Sequence, residues 1–421
     1  MRYILFVLFL ILSWVVPSEA SPRYVFLFIG DGLGQEEIDL FTEIAQRPAF
    51  VEFPVHVLLK THTQDGRVPD SAASATSIAC GIKVREGILA QDDWGRPIKT
   101  IAEKAKERGY RVGIITNVAL NDATPAAFYA HTDSRRRYDD IAWQMVQSGF
   151  DLFVGGGMVS SSKEEQENIL NSARKRGYVV IRSFEEFLAL KATPAIALFP
   201  FVFAIDRKTA HPTLAQCVRK AIELLSNSSG FFLIVEGGRI DWCNHMNDLL
   251  SSLQELEDFN AAIWEALLFG RKHSQETLIL VTADHETGGL RRERTIQVVL
   301  PSQRGSYDFF FTELRSTPRK EEALWEFLTS FWEGQNEKTV TRALRDFCVS
   351  GDEKALWISL ARSIAEEIGV VWTTLGHTAA SVPLYAWGKG ADCFTSASDN
   401  TDIAQILGAI FTGKIVPEKV F

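Results

Sequence analysis

Residues 25–32 read VFLFIGDG, an apolar run that ends in an acid between two glycines. A similar arrangement occurs twice more, in residues 231–238 (FFLIVEGG) and in residues 278–285 (LILVTADH). Strands that are apolar at every position are typical of parallel sheets covered on both faces. In such sheets the chemistry gathers at the carboxyl ends of the strands. The sequence therefore predicts that the acids at these three ends share one edge of a parallel sheet.

The rest of the chain alternates between apolar runs and amphipathic segments. The predicted strands are 24–29, 111–116, 152–154, 195–205, 231–235, 277–281 and 382–387. The predicted helices between them are 98–108, 138–148, 163–176, 214–226 and 249–269. This alternation indicates an α/β fold, with a mostly parallel central sheet flanked by helices on both faces. Residues from about 291 to 372 break the pattern and predict an inserted helical subdomain, with helices such as 320–332 and 354–368.

The composition predicts a protein with a large core that does not bind nucleic acid. Of the 421 residues, 46% are hydrophobic, enough for one large domain or two ordinary ones. The net charge of −9 disfavours non-specific binding to nucleic acid. The five cysteines are too few for a disulfide scaffold, and their odd number leaves at least one thiol unpaired. The sequence does not decide whether one or two disulfide bridges form.

Residues 1–20 have the pattern of a secretory signal peptide. A charged start precedes the apolar run 4–12, and Ser18 and Ala20 supply small residues for cleavage after Ala20. The alternative is an uncleaved N-terminal anchor. No other stretch approaches the roughly 20 apolar residues that a membrane span needs. We therefore expect a mature domain of residues 21–421, periplasmic or secreted, that has no contact with a membrane after cleavage.

Residues 70–76, DSAASAT, place an acid and a hydroxyl at the start of a small-residue helix. A serine there meets unpaired N–H groups and the positive end of the helix dipole, which favour developing negative charge. This position suits a nucleophile that attacks phosphate. Taken alone, Asp70-Ser71 is more often an ordinary N-cap. The case for Ser71 therefore depends on the metal-ligating residues elsewhere in the chain.

Acids and histidines recur just beyond the predicted strands. Asp241 and His245 lie four residues apart, on one face if their segment is helical, and His377 follows a glycine. Such groups are costly when buried without partners, and divalent cations remove that cost. Mixed Asp and His sites suit zinc, whereas carboxylate and hydroxyl sites suit magnesium. Each turn alone is more often capped or solvated, but their joint occurrence predicts a metal centre. The candidate ligands are Asp31, Glu236, Asp241, His245, Asp284, His285 and His377.

Residues 121–127, NDATPAA, follow the predicted strand 111–116. Asp122 and Thr124 offer oxygen ligands to a hard cation, directly or through water. The plain alternative is an Asx turn at a helix start that contains proline. The arginine run 135–137 comes next, and one of its guanidiniums could bind a phosphate in bidentate fashion. At least one of the three arginines is expected to be solvated only.

Taken together, these residues make the chain strongly resemble the alkaline phosphatases. The resemblance rests on segments that occur in the family's order, namely 30–32, 70–76, 122–125, 236–245, 284–289, 376–378 and 400–402. It implies hydrolysis of phosphate monoesters through a phosphoserine, with two zinc ions and one magnesium ion. Ser71 would be the nucleophile. Arg135 would bind the phosphate, whereas Arg136 and Arg137 would not.

The resemblance also implies a ligand set for each ion and a possible assembly. One zinc would be held by Asp241, His245 and His377. The second zinc would be held by Asp31, Asp284 and His285. Magnesium would be held by Asp31, Thr124 and Glu236, with Asp122 on its waters. The family is often dimeric, so a homodimer is possible, and the substrates would be small phosphate monoesters.

The sequence shows three departures from the family pattern and leaves two other functions undecided. One departure is Thr287, which stands where some members of the family have a histidine. The combination of Asp122 with Trp242 leaves open whether the third site takes magnesium or zinc. The stretch between His285 and His377 is long for the family's compact bacterial forms. A related hydrolase on the same scaffold that prefers phosphodiesters or sulfate esters is the first alternative function. A metal- or phosphate-binding protein without activity is the second, and Ser71 beside a full ligand set argues against it.

Overall fold

The computed structural model describes residues 21–226, 229–294, 302–332 and 336–413. The predicted signal peptide, residues 1–20, lies outside the described residues. The strands are β1 (Tyr24–Gly30), β2 (Val55–Leu59), β3 (Arg111–Thr116), β4 (Leu152–Gly155), β5 (Val179–Ile181), β6 (Ala195–Leu198), β7 (Phe231–Gly237), β8 (Thr277–Ala283), β9 (Glu286–Thr287), β10 (Leu290–Arg292), β11 (Val370–Trp372), β12 (His377–Thr378) and β13 (Val382–Gly388).

Helices separate most of these strands. The α-helices are α1 (Gln35–Ile44), α2 (Ser71–Cys80), α3 (Ile101–Glu107), α4 (Ala123–Ala126), α5 (Tyr138–Gln147), α6 (Lys163–Lys175), α7 (Phe184–Ala189), α8 (Leu214–Leu225), α9 (Arg239–His245), α10 (Leu249–Lys272), α11 (Tyr307–Ser316), α12 (Glu321–Phe331), α13 (Glu337–Ser350), α14 (Glu353–Ile368) and α15 (Thr401–Thr412). Short 3₁₀ turns lie at Ala49–Glu52, Ala204–Asp206 and Ala391–Phe394.

Within the described residues, nine strands form one central sheet in the order β2-β13-β8-β1-β7-β3-β4-β6-β5. β13 runs antiparallel to both of its neighbours, β8 and β2, and the remaining neighbours are parallel. Strands β1, β7 and β8 are buried at every position, as strands covered on both faces require. The predicted α/β fold class with a mostly parallel central sheet is therefore confirmed.

Helix α2 is buried along its whole length. Its sequence, SAASATSIAC, consists mainly of small residues, so its backbone can approach the neighbouring elements closely. It is capped at one end by Asp70 and ends at Gly81, which has a left-handed φ of +77°. The small residues thus allow Ser71, the first residue of the helix, to lie inside the protein rather than on its surface.

Two short antiparallel pairs lie outside the central sheet. In one pair, β9 and β12, Thr287 is opposite His377. In the other pair, β10 and β11, Leu290 is opposite Trp372. Helices α11 to α14 lie between β10 and β11 in the chain, within the stretch predicted as an inserted helical subdomain. Its status as a separate subdomain stays a prediction.

The structure differs from the prediction in several elements. The strand predicted over 195–205 ends at Leu198, shortly before Pro200, whose nitrogen cannot donate to a sheet, and a 3₁₀ turn follows at Ala204–Asp206. Helices α1, α7, α11, α13 and α15 and strands β2, β5 and β9 to β12 are absent from the sequence-based prediction. In α1 the buried residues include Glu37, so its apolar stripe is interrupted by charge.

Two further findings, on membrane-spanning helices and on the cysteines, apply to the described residues. Within these ranges, every helix is too short or too polar to cross a membrane. All five cysteines fall within these ranges, and each is a free thiol. The disulfide bridges that the sequence alone could not decide are therefore not formed.

Candidate active site

Three acids lie side by side at the carboxyl ends of adjacent strands. Strand β1 lies between β8 and β7, and its last residue pairs with the last residues of both neighbours. Asp31 and Asp284 directly follow their strands, and Glu236 is the next-to-last residue of β7. All three acids are buried. The register thus places these carboxylates at one edge of the sheet, as their strand-end positions predict.

Ser71 reaches the same edge from the first turn of α2. Asp70 caps this helix, because its Oδ1 accepts a hydrogen bond from the Ala73 N–H at 3.0 Å. The Ser71 hydroxyl takes no part in that cap, and its Oγ lies 3.3 Å from His285 Nε2. Ser71 is buried, so its oxygen meets the helix N-terminus with little competition from water. The N-cap and the candidate nucleophile are therefore two different residues.

Asp241, His245 and His377 form the first group of side chains that could hold a metal ion. The Nε2 atoms of the two histidines are 3.1 Å apart, and His245 Nε2 is 3.4 Å from Asp241 Oδ2. The other ring nitrogens donate to backbone carbonyls, His245 Nδ1 to Leu375 at 2.6 Å and His377 Nδ1 to Pro69 at 2.9 Å. These bonds leave both Nε2 lone pairs directed at one point, the arrangement typical of histidine metal ligands.

Asp31, Asp241 and His285 form a second such group, so Asp241 belongs to both. His285 Nε2 is 3.4 Å from Asp31 Oδ1 and also 3.4 Å from Asp284 Oδ2. Thr287 Oγ1 donates to Asp241 Oδ1 at 2.6 Å and holds this shared carboxylate. The predicted second zinc set of Asp31, Asp284 and His285 is thus brought together, with Asp241 as a fourth side chain beside it.

The residues predicted for magnesium also meet at this edge. Thr124 Oγ1 donates to Asp31 Oδ2 at 3.4 Å, and Thr116 Oγ1 donates to Glu236 Oε2. Asp122 caps α4 through its bond from the Ala123 N–H at 2.7 Å. The Asx-turn alternative and the ligand role of Asp122 are therefore compatible, because this bond uses only Oδ1.

The donor set of the site fits divalent cations. Among the described residues, Asp31 Oδ1, Glu236 Oε1 and Asp284 Oδ2 are buried oxygens without a hydrogen-bond partner. Buried polar atoms are rarely left in this state, and each one calls for a bound partner. Carboxylate and imidazole groups that converge on one point are the ligands typical of zinc and magnesium sites.

The pKa values show how unfavourable it is to keep these buried side chains charged when no cation is bound. Burial, with the charges of Asp284, Asp241 and Glu236, raises the pKa of Asp31 well above its ordinary value. Burial, with Asp122 and Asp284, raises the pKa of Glu236 to about 8, although Thr116 opposes the shift. Burial and the neighbouring His377 lower the pKa of His285 to about 3. The acids therefore disfavour their charged forms, and a cation would reverse that preference.

Arg135 supplies the fixed positive charge of the site. Its Nη1 donates to Asp70 Oδ2 at 3.2 Å and its Nη2 donates to Asp122 Oδ1 at 3.0 Å. Burial alone would lower the pKa of Arg135, but Asp122 and Asp70 outweigh burial and raise it. Arg137 instead pairs with Asp133 and Asp140 at the exposed surface. Arg135 is thus the member of the arginine run that the structure brings to the site.

Residues 22–412 match the family model described as alkaline phosphatase. The chain belongs to the alkaline phosphatase family. Alkaline phosphatase 4 of Bacillus subtilis is 29% identical to it, over 94% of this chain and 90% of that protein. The solved cold-active alkaline phosphatase of a psychrophilic Shewanella is 28% identical, with a TM-score of 0.80 over 92% of this chain and 99% of that one. The family and the fold support an enzyme that hydrolyses phosphate monoesters.

A third relative bears on the metals of alkaline phosphatases. It is a mutant of the TAB5 alkaline phosphatase in which a histidine is replaced by glutamate, solved with magnesium in its M3 site. That structure is 25% identical to this chain, with a TM-score of 0.69, and the match covers 93% of this chain and 99% of that one.

Several supports of this alkaline phosphatase site are missing from the sequence-based prediction. Asp70 orients Arg135, Thr116 binds Glu236, and the carbonyls of Pro69 and Leu375 hold the two histidines. Backbone carbonyls carry no sequence signal. Thr116 could have been found, because it ends the predicted strand 111–116, next to the strand that carries Glu236.

We predict that the metal-free protein loses stability as the pH rises from 7.0 to 8.5. The folded pKa values of Glu236 (about 8), Glu37 (about 7) and Glu255 (about 7) lie above those of an unfolded glutamate. In this window the folded chain holds protons that the unfolded chain has already released, so the unfolding free energy falls by up to about 1.4 kcal/mol per pH unit for each group. His285 opposes this slope only weakly, because the folded ring is neutral and an unfolded histidine is only about one quarter protonated at pH 7.0 and less above it.

Urea unfolding in the presence of a chelator, at several pH values, measures this slope. Glu236→Gln should flatten part of it, because the amide has no proton to release. Saturating zinc and magnesium should stabilise the wild type more at pH 8.5 than at pH 7.0. A chelated protein that becomes more stable over the same window would contradict the prediction.

Proposed function

We propose that this member of the family hydrolyses phosphate monoesters through a covalent phosphoserine at Ser71, using two zinc ions and one magnesium ion. One observation carries the proposal. Ser71 Oγ lies at the N-terminus of α2, 3.3 Å from His285 Nε2, beside two groups of metal-binding side chains. A nucleophilic hydroxyl in this environment suits attack on a bound dianion.

The proposed ligand sets are those that the family resemblance implies, and the closeness of these side chains supports them. Asp241, His245 and His377 would hold one zinc. Asp31, Asp284 and His285 would hold the second zinc. Asp31, Thr124 and Glu236 would hold magnesium, with Asp122 acting through water. When bound, the cations supply Lewis-acid stabilisation of the negative charge on the attacking, leaving and non-bridging oxygens.

Magnesium is our choice for the third ion. The residues proposed for it are carboxylates and a hydroxyl, hard oxygen donors without an imidazole. In the TAB5 mutant, a carboxylate in place of a histidine accompanies magnesium in the M3 site of that protein. Asp122 offers a carboxylate near Glu236 here, and Coulomb repulsion between the two contributes to the raised pKa of Glu236.

The chain's own residues supply attack, binding and orientation. Arg135 binds two phosphate oxygens with its planar guanidinium, which Asp70 and Asp122 hold in one orientation. Ser71, having lost its proton to solvent, forms the Oγ–P bond while the ester P–O bond breaks, and the leaving alkoxide takes a proton from solvent and departs as the alcohol. Water then attacks phosphorus, the P–Oγ bond breaks, and phosphate is released with Ser71 restored. The N-terminus of α2 stabilises the serine oxygen in both steps.

The formal charges agree with a dianionic substrate. Three divalent ions and Arg135 would bring +7, and Asp31, Asp122, Glu236, Asp241 and Asp284 bring −5. The resulting +2 matches a phosphate monoester, which carries two negative charges. The net charge of the whole chain, −9, lies partly elsewhere and is screened by salt over roughly 8–10 Å.

We also propose export and a possible homodimer. The pattern of residues 1–20 supports cleavage after Ala20 and a periplasmic or secreted mature chain. The N-terminal sequence of the purified mature protein checks the cleavage. The dimer is proposed from family resemblance alone.

We predict that Ser71→Ala abolishes turnover of p-nitrophenyl phosphate while retaining zinc. The substitution removes the attacking oxygen and leaves every proposed ligand in place. Acid quenching of the wild type with labelled substrate should trap phosphate on Ser71, and metal analysis should give the same zinc content for both proteins.

Ser77→Ala is the matched control for this substitution. Ser77 lies in the same helix and donates only to the Ala73 carbonyl at 3.0 Å. This variant should keep near wild-type activity. Full activity of Ser71→Ala would defeat the nucleophile assignment, and faster turnover of bis-p-nitrophenyl phosphate or p-nitrophenyl sulfate would move the function to a diesterase or a sulfatase.

We predict that Arg135→Ala lowers kcat/KM for phosphate monoesters by about 10–100-fold, the loss expected for a charged hydrogen-bonding partner worth roughly 1.5–3 kcal/mol. Inhibition by inorganic phosphate should weaken in parallel. Arg136→Ala, a neighbouring exposed arginine, should change neither quantity. Equal losses in the two variants would show a general effect of positive charge instead of a specific contact.

A further inference from the structure

Asn247 lies in the turn between α9 and α10, in a conformation that L-residues rarely adopt. Its φ is +52°, in the left-handed region, and its side chain is buried. Among non-glycine residues, asparagine is one of the few that enter this region readily, because its short amide can form local hydrogen bonds. The contacts of its side chain therefore identify what the turn is built to hold.

The carboxamide of Asn247 makes three hydrogen bonds. Its Nδ2 donates to the carbonyls of Asn244 and Thr374, each at 3.0 Å, and its Oδ1 accepts from Arg362 Nε at 2.9 Å. Carbonyls only accept and a guanidinium only donates, so one orientation of the amide satisfies all three bonds. Arg362 thus sets the direction of the amide, and the amide ties Thr374 to the turn.

The two segments that Asn247 joins are those that carry the histidines of the first ligand group. His245 lies two residues before Asn247 and donates from Nδ1 to Leu375, the residue after Thr374, at 2.6 Å. His377 follows two residues later, with its Nε2 3.1 Å from His245 Nε2. The separation of the two Nε2 atoms therefore depends on how firmly these segments are held together.

Helices α11 to α14 also contact the residues on either side of Asn247. Trp357 of α14 is buried, and its Nε1 donates to the Met246 carbonyl at 3.0 Å. Asp248 accepts from the N–H of Tyr307, the first residue of α11, at 3.0 Å. Three consecutive residues of the turn are thus held by the segment that the sequence predicts as an insertion.

We propose that the helical segment α11–α14 positions His245 and His377 for zinc, with Asn247 as the positioning residue and Arg362 as the group that orients it. This inference rests on the proposed function, since it needs zinc at Asp241, His245 and His377. A pair of imidazoles already held at the correct spacing loses less conformational freedom on binding the ion. Without the amide bridge, the segment that carries His377 can separate from His245, and zinc leaves sooner.

Zinc release from the folded holoenzyme to an excess of a chromogenic chelator tests the proposal. Asn247→Gly removes all three side-chain bonds but keeps a backbone that accepts positive φ. Arg362→Ala removes the donor that orients the amide. Outer hydrogen bonds of metal ligands are worth roughly 10–100-fold in metal affinity. Both variants should therefore release one zinc equivalent about tenfold faster or more, and Arg362→Lys should recover part of the loss.

Arg315→Ala is the matched control. Arg315 lies in α11 and pairs at the surface with Glu353 of α14 at 2.9 Å, away from the turn. It should release zinc at the wild-type rate. Urea unfolding of the zinc-free forms reports global stability separately. If Arg362→Ala does not fold, Asn247→Gly and Arg362→Lys decide the question.

Each remaining outcome counts against a specific claim. A lower urea midpoint with unchanged zinc release would mean a purely structural role and would overturn the inference. Equal acceleration in Arg315→Ala would overturn it as well. If the wild type holds zinc and hydrolyses monoesters but the variants release zinc at its rate, only this inference fails. If the wild type retains no zinc, the proposed metal centre fails and this inference fails with it.

Discussion

Mutual repulsion among buried carboxylates is the constraint on which this site depends. Asp31, Glu236 and Asp284 are fixed at the ends of three adjacent strands, so the sheet itself prevents them from moving apart. Burial removes the water that would otherwise screen them, and the pKa values of Asp31 and Glu236 rise accordingly. Either protons or divalent cations can relieve the repulsion between these carboxylates. A proton neutralises the carboxylate, whereas a bound cation keeps it ionised and uses its oxygens as ligands.

The remaining parts of the site can be understood as responses to that constraint. Helix α2 directs its N-terminus at the acids, and its small residues let Ser71 approach within hydrogen-bond distance of His285. Arg135 is charged because Asp70 and Asp122 hold it, and Asp122 thereby links this fixed positive charge to the proposed magnesium site. Asp70 and Asp122 thus each serve two parts of the site, Asp70 the cap of the Ser71 helix and Arg135, and Asp122 Arg135 and the proposed magnesium.

The sequence determines this site unevenly, and the reasons are physical. The apolar strands β1, β7 and β8 are recognisable because every position is buried, and the acids that end them follow from parallel register. Asp241 and His245 pair because α9 is helical, as their spacing suggests. The approach of His377 to His285 depends on the pairing of β9 with β12, two strands of two residues each, too short to be recognised in a sequence. The conformation of Asn247 likewise depends on Arg362, 115 residues away in the chain.

The pairing of β9 with β12 has a consequence for how such a chain can change over evolutionary time. Because Thr287 lies opposite His377, the long segment between these two residues begins and ends at nearly the same place in the fold. An inserted segment whose two ends lie close together can lengthen, shorten or be exchanged without altering the register of the central strands. Diversification in this enzyme can therefore concentrate in one module, provided that its replacement still offers a donor to the amide at position 247.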